Sequence, residues 1–264
     1  MKMKKSKIPS IRQRLKDNKP VLGTWLNSAS SVMAELLAEC GYDFVCVDAE
    51  HSPIDLATAQ SLFTSITSGN PDCEAFVRLP GIDYSYAKRY LDAGAKGLIG
   101  PLVNSPEDAA LLVKTAKYPP LGDRGVGFCR ANQYGKNVGD EFHKANDEIL
   151  VAVQIEHIKG AERIDEILAV EGIDAVFIGP YDLSASMGLA ANFEDPNYIT
   201  VRDNILEACN RHNIIAGIHV VPTDLNQLEL RLKEGYKMLA YSLDIEMVRK
   251  VGSEGVSSFR NLSL

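Results

Sequence analysis

The chain has 264 residues, 45% of them hydrophobic and 24% charged, enough to bury a sizeable core in one large α/β domain or two small ones. Its 28 Lys and Arg against 35 Asp and Glu leave a formal charge of −7, which argues against a general nucleic-acid-binding surface and toward a small partner. Five scattered cysteines (Cys40, Cys46, Cys73, Cys129, Cys209) form no C-x-x-C pair, so neither a disulfide framework nor a thiolate zinc site is expected and a reducing cytoplasm fits.

The opening "MKMKKSKIPSIRQRLKDNKP" is basic and lacks the apolar core of a signal peptide; nowhere does a run long enough for a membrane span occur. Residues 1–20 read as an N-terminal basic helical segment, a short surface helix with solvated lysines. Residues 21–264 then read as one domain. "VLGTWLN" from Val21 and "SVMAELLAECG" make the first βα unit, the second stretch having apolar positions every three to four residues. "DFVCVDAE" from Asp43, "EAFVRLP" from Glu74 and "KGLIGPLV" from Lys96 follow as strands, with "DLATAQSLFTSITSG" and "YAKRYLDAGA" as helices between them. "ILVAVQIE" from Ile149, "DAVFIGP" from Asp174, "IIAGIHVV" from Ile214 and "KMLAYSLD" from Lys237 bring the count to eight. Eight βα units in a chain of this length predict a single TIM (β/α)8 barrel; a doubly wound sheet is the structural alternative, but no Gly-rich phosphate turn follows the first strand. Two connections read as long loops, Tyr118 to Asp147 and Tyr181 to Pro196, the second following a strand and therefore facing the catalytic end.

Strand ends form the catalytic face of such a barrel, and here they carry Asp48, Glu50 and His51, then Arg78, then Gln154, Glu156 and His157, then Asp182, then His219. Glu156 and Asp182 are hard oxygen donors on neighbouring strands, suited to Mg2+ or Mn2+ with open positions; acids at strand ends also cap helices, and both readings stand. Gln154 and Glu156, two apart, share one face of their strand, which favours the metal reading. Arg78, after an apolar run, either recognises a substrate carboxylate or keto oxygen or pairs structurally with an acid. His51 is a candidate general base with Asp48 as the carboxylate that orients its imidazole, while Glu50 fits a structural ion pair or a supporting contact. His157 reads as a helix-start residue, His143 as a helix-surface residue and His212 as a helix-end residue near the dipole. "DRGVGF" at Asp123 matches no phosphate-binding fingerprint and reads as flexible loop; no nucleophile elbow is present, and no lysine sits where an imine-forming lysine would.

"DAEHSPIDL", "VRLP", "RYLDAGAKGLIGPLV", "YPPLGDRGVG", "VQIE" and "FIGPYDLSASMG" occur in this order over roughly residues 20 to 250. Together they resemble the metal-dependent class II pyruvate aldolases of the 4-hydroxy-2-oxoheptanedioate and 2-dehydro-3-deoxyglucarate aldolase type. The resemblance implies a barrel assembled as a hexamer, a trimer of domain-swapped dimers, that cleaves a 4-hydroxy-2-oxo acid to pyruvate and an aldehyde. It implies Glu156 and Asp182 as ligands of Mg2+ or Mn2+, with Co2+ also admissible. Arg78 and Gln154 would contact the pyruvate keto group, His51 with Asp48 would transfer the proton, and the N–H groups around Tyr181 and Asp182 would take the carboxylate. It also moves Arg124 and Gly125 of "RGVG" next to the acceptor end. The family tends to carry alanine at Tyr181 and an aliphatic residue at His219, so these two are expected to tune the aldehyde. Lyases of malyl or citramalyl thioesters, decarboxylases or condensing enzymes acting on oxaloacetate, and a metal-binding scaffold without activity are the competing readings.

Overall fold

A computed structural model describes residues 8–262. The eight strands, all parallel, close into a barrel in sequence order. They are β1 (Val21–Leu26), β2 (Phe44–Asp48), β3 (Glu74–Arg78), β4 (Gly97–Gly100), β5 (Leu150–Ile155), β6 (Ala175–Ile178), β7 (Ile215–Val220) and β8 (Met238–Leu243). The helices in chain order are α1 (Ile11–Lys16), α2 (Ser31–Glu39), α3 (Leu56–Gly69), α4 (Tyr84–Ala93), α5 (Pro106–Ala116), α6 (Val138–Glu148), α7 (Ile158–Glu162), α8 (Ile164–Leu168), α9 (Pro180–Ser186), α10 (Pro196–His212), α11 (Leu225–Lys233) and α12 (Asp244–Arg260). Short polar side chains start them: Ser30, Asp55, Asp83, Ser105, Asp195 and Asp224 each accept a main-chain N–H of the first turn. Among the described residues no helix is long and apolar enough to cross a membrane.

Alternation along the strands splits the apolar residues into two cores. Val45, Val47, Val77, Leu98, Val151, Val153, Val176 and Ile178 point outward under the helices, while Phe44, Cys46, Phe76, Ile99, Leu150, Ala152 and Phe177 point inward. The interior closes by pairing rings with glycines across strands. Phe44, Phe76 and Phe177 are in register with Gly23, Gly97 and Gly217, and a β-carbon on any of these glycines would fall within 2.4 to 2.8 Å of its partner ring.

Two readings change. The stretch Ile11–Lys16 is helical as expected, but α1 is not a mere surface helix: Ile11 and Leu15, one turn apart, are buried in the base of the barrel interior. Arg12 pairs with Asp174 and Arg14 with Asp43, both at 2.6 Å, and the Ile11 N–H donates to Glu74 Oε1. A barrel leaves its lower end open, and this amphipathic turn closes it. Lys2, Lys4, Lys5 and Lys7 lie outside the described residues. The connections read as long loops are also partly helical: α6 occupies the end of the first, and α9 begins the second because Pro180, with its preset φ, takes the first helical position.

Replacing Gly97 by Ala drives a methyl to 2.6 Å from the Phe76 ring without changing backbone strain. G97A is therefore expected to lower unfolding stability by about 1–3 kcal/mol in urea melts. Adding F76L, which gives the methyl room, should recover part of the loss.

Candidate active site

The inward rows that are apolar at the base become polar at the C-terminal end of the strands. On β2 the row runs Phe44, Cys46, Asp48; on β3 it runs Phe76, Arg78; on β5 and just past it Leu150, Ala152, Gln154, Glu156. Asp48 and Arg78 are register partners on adjacent strands, so the pleat brings their side chains together. Arg78 donates from Nε to Asp48 Oδ1 at 2.9 Å and from Nη2 to Oδ2 at 2.7 Å, a two-pronged pair with Asp48 fully buried. Asn27, following β1, donates its side-chain amide to Oδ2, and the main-chain N–H groups of Glu50 and His51 donate to Oδ1. Burial works to raise the Asp48 carboxyl, but the guanidinium's hydrogen bonds and charge, with those N–H groups, bring it below the ordinary range.

This arrangement corrects one expectation. Asp48 does not hold the His51 ring; both its oxygens are taken by Arg78, Asn27 and main-chain N–H groups. The chain turns immediately after Asp48, so His51 meets it through its backbone, and the imidazole projects into the mouth with Nε2 3.8 Å from Glu50 Oε2. Glu50 also lies 3.1 Å from Arg78 Nη1, so the acid whose role the sequence left open is a second carboxylate on the guanidinium. Its carboxyl is raised by burial and by the Glu156 and Asp48 charges, against the pull of Arg78 and His51.

Glu156 is buried across the mouth. Its Oε1 accepts the Leu102 N–H at 2.7 Å, and its Oε2 accepts from the Gln154 side-chain amide, leaving Gln154 Oε1 buried without a partner among the described residues. Burial raises the Glu156 carboxyl, the Leu102 and Gln154 donors oppose this, and the Asp182 charge raises it further. Asp182 sits in the first turn of α9. Gly179, directly before that helix, makes room: a β-carbon there would lie 2.7 Å from Glu156 Cβ and 3.0 Å from Oε2.

His219, inward on β7, stacks on Trp25 with ring centroids 4.6 Å apart, and its Nε2 is 2.8 Å from the Ser242 carbonyl oxygen. The Arg78 guanidinium lies 5.8 Å from the same indole. Tyr181, half-exposed in α9, stands edge-on to Phe193 and lines a cavity of about 530 Å3 together with His219. Arg124 and Gly125 have their contacts elsewhere: Arg124 is buried against Asp92 of α4 at 2.8 Å and over the Tyr118 ring, and Gly125 lies near the Tyr84 hydroxyl. The loop after α5 packs against the outer helices, so the structure brings neither to the Arg78–Glu156 cluster. His157 caps α7 by accepting the Lys159 N–H, His143 is exposed on α6, and His212 ends α10 beside Asp165.

Trp25, Asn27, Gly179 and Ser242 escaped sequence reading. Counting in twos along the inward rows would have reached three of them, since Trp25 and Asn27 extend the row of Gly23 and Gly179 that of Phe177, whereas a register shift in β8 after Ala240 breaks the count before Ser242.

A family model described as HpcH/HpaI aldolase/citrate lyase matches residues 22–250. The chain belongs to this family. The HpcH/HpaI chain is 33% identical to a 4-hydroxy-2-oxovalerate aldolase of Rhodococcus jostii, over 98% of each protein. It is 34% identical to a 4-hydroxy-2-oxo-heptane-1,7-dioate aldolase of Klebsiella pneumoniae, covering 94% of this chain and 92% of that one. The crystal structure of an HpcH/HpaI aldolase from Desulfitobacterium hafniense superposes with a TM-score of 0.90 at 32% identity, covering 97% and 98% of the two chains.

Removing one partner of the Asp48–Arg78 pair strands a buried charge, so D48A or R78A should each cost about 3–5 kcal/mol in denaturant melts, and the double variant less than their sum. Because the folded Asp48 titrates below its unfolded value near pH 4, this contribution is present above about pH 4 and lost as pH falls through the folded value. The difference between wild type and D48A should shrink accordingly in acid.

Proposed function

We propose that this HpcH/HpaI protein is a divalent-metal-dependent aldolase that cleaves a 4-hydroxy-2-oxo acid reversibly to pyruvate and an aldehyde. The observation that carries the reading is the convergence at one barrel mouth of Arg78, Gln154 and Glu156, with Asp182 one strand on. The names of its relatives support the same chemistry.

The residues fit a hard cation. Glu156 and Asp182 bring two mutually repelling carboxylates together, Gly179 leaves the space beside them clear, and Gln154 Oε1 awaits a partner. Mg2+, Mn2+ or Co2+ held there would supply Lewis-acid polarisation of the 2-oxo group. Arg78, held rigid by Asp48 and Glu50, keeps donors on Nη1 and Nη2 for the oxygen that gains charge as the C3–C4 bond breaks. The Tyr181 and Asp182 N–H groups, in the first turn of α9, have no intrahelical acceptor and take the substrate carboxylate. His51, exposed at the mouth and next to Glu50, accepts the 4-hydroxyl proton, directly or through a water, and returns it in condensation. The C3–C4 electrons pass to C3–C2, the aldehyde leaves, and a proton at C3 completes pyruvate. Free cysteines throughout accord with a cytoplasmic setting.

The reading includes assembly with further copies of this chain, a dimer as the unit of a hexamer. In α12 only Asp244 is buried, while Ile245, Val248, Val251, Val256 and Phe259 are each half exposed or more. An apolar helix face of that length is covered in water by something of the same character, and a second α12 or the neighbouring α2, with exposed Val32 and Leu36, offers it.

Pyruvate release from 4-hydroxy-2-oxo acids, followed by a coupled reductase assay, should vanish with EDTA and return with Mg2+, Mn2+ or Co2+. R78A should lower kcat by about 10²–10³-fold and H51A by about 10²–10⁴-fold. Failure to release pyruvate from any such acid with metal present would overturn the reading. By light scattering the wild type should be larger than one chain, and V248D/V251D should shift it toward the monomer.

A further inference from the structure

His219 stands on the inward row of β7, and the bond-breaking chemistry leaves it without a task. Its Nε2 lies 2.8 Å from the Ser242 carbonyl oxygen, a group that can only accept, so Nε2 carries the hydrogen and Nδ1 a bare lone pair. The ring cannot swing away, because it lies flat on Trp25, 4.6 Å between centroids and 14° between planes. Burial, opposed by the Ser242 bond and aided by Arg78, lowers its pKa to about 4, so the ring is uncharged at neutral pH.

The surroundings say what Nδ1 meets. His219 and the Arg78 guanidinium share the Trp25 indole, the imidazole stacked at 4.6 Å and the guanidinium 5.8 Å from its centroid, which puts His219 beside the reacting groups. In the same β7–β8–β1 sector, Trp25 Nε1, Ser28 Oγ and Ser242 Oγ are buried without hydrogen-bond partners among the described residues. A purely aliphatic acceptor would leave these polar atoms unmet.

We propose that His219 is a specificity-determining residue whose Nδ1 accepts a hydrogen bond from a hydroxyl of the acceptor aldehyde, selecting hydroxylated aldehydes over aliphatic ones of the same size. The inference rests on the aldolase reading and names the second substrate for it. A site built to bond a hydroxyl discriminates strongly against the analogue that lacks it.

Two measurements separate the inference from its foundation. Deuterium exchange of the pyruvate methyl group, followed by NMR in the metal-loaded wild type without any aldehyde, tests the aldolase reading; its absence overturns that reading and this inference with it. With exchange present, kcat/KM for condensation with pyruvate is compared for glycolaldehyde and propanal, each corrected for its hydrated fraction. Wild type should favour glycolaldehyde by about tenfold or more, with a ratio constant between about pH 6 and 9 because the imidazole is already neutral. H219F, which keeps the stack on Trp25, should bring the ratio near one, while H219Q, with an oxygen that can accept, should restore part of it. A wild-type ratio near one, or an H219F ratio equal to that of wild type, overturns the proposal. H219L supplies the same comparison should H219F fail to fold.

Discussion

The ion pair between Asp48 and Arg78 organises the mouth of the barrel. A guanidinium buried inside a closed sheet is costly unless its charge is matched and its donors are aimed, and here a register-paired carboxylate on the next strand does both. Asn27 and the turn after β2 complete the carboxylate's bonds, so β1, β2 and β3 are tied together at the end where the polar residues converge. Asp244 repeats the device at the barrel seam, accepting the N–H groups of Asn27 and Ser28 from the end of β8. These ties hold a rigid positive charge in the mouth where Gln154 and Glu156 are also buried.

That polar mouth exists because the barrel interior changes character along its axis. At the base, rings from three strands lie over glycines of their neighbours and α1 plugs the opening, which leaves a dry, filled floor. One or two residues further along the same inward rows, Asp48, Arg78, Gln154 and Glu156 replace the apolar side chains, and in that setting their charges act at lower effective dielectric than in water. Fold stability and site chemistry therefore share the same rows, divided by height. The unpartnered atoms of Gln154, Trp25 and Ser242 lie in the upper layer, where a polar ligand would repay their burial.

Much of this was legible in the residues. The alternation of apolar strands with amphipathic helices specified eight βα units, and period-two spacing placed Gln154 and Glu156 on one face, as found. His157 as a helix-start residue comes from the same alternation, since the residue next to an inward Glu156 must turn away. The pairing of Asp48 was not legible, because nearness in sequence favoured His51 while register across strands selected Arg78, thirty residues on. Arg124 was drawn toward the site by its motif, whereas Asp92 and Tyr118 hold it among the outer helices.

Side-chain periodicity and capping are local properties, set by backbone geometry within a few residues, and from them the sequence alone determined the barrel, its order of elements and which ends carry polar groups. Whether α1 is an appendage or a plug, which acid holds Arg78, and that His219 is locked as a neutral acceptor beside Trp25 were decided only by closure of the sheet. Closure brings β1 against β8 and sets the register between strands, and no short stretch of chain contains that information.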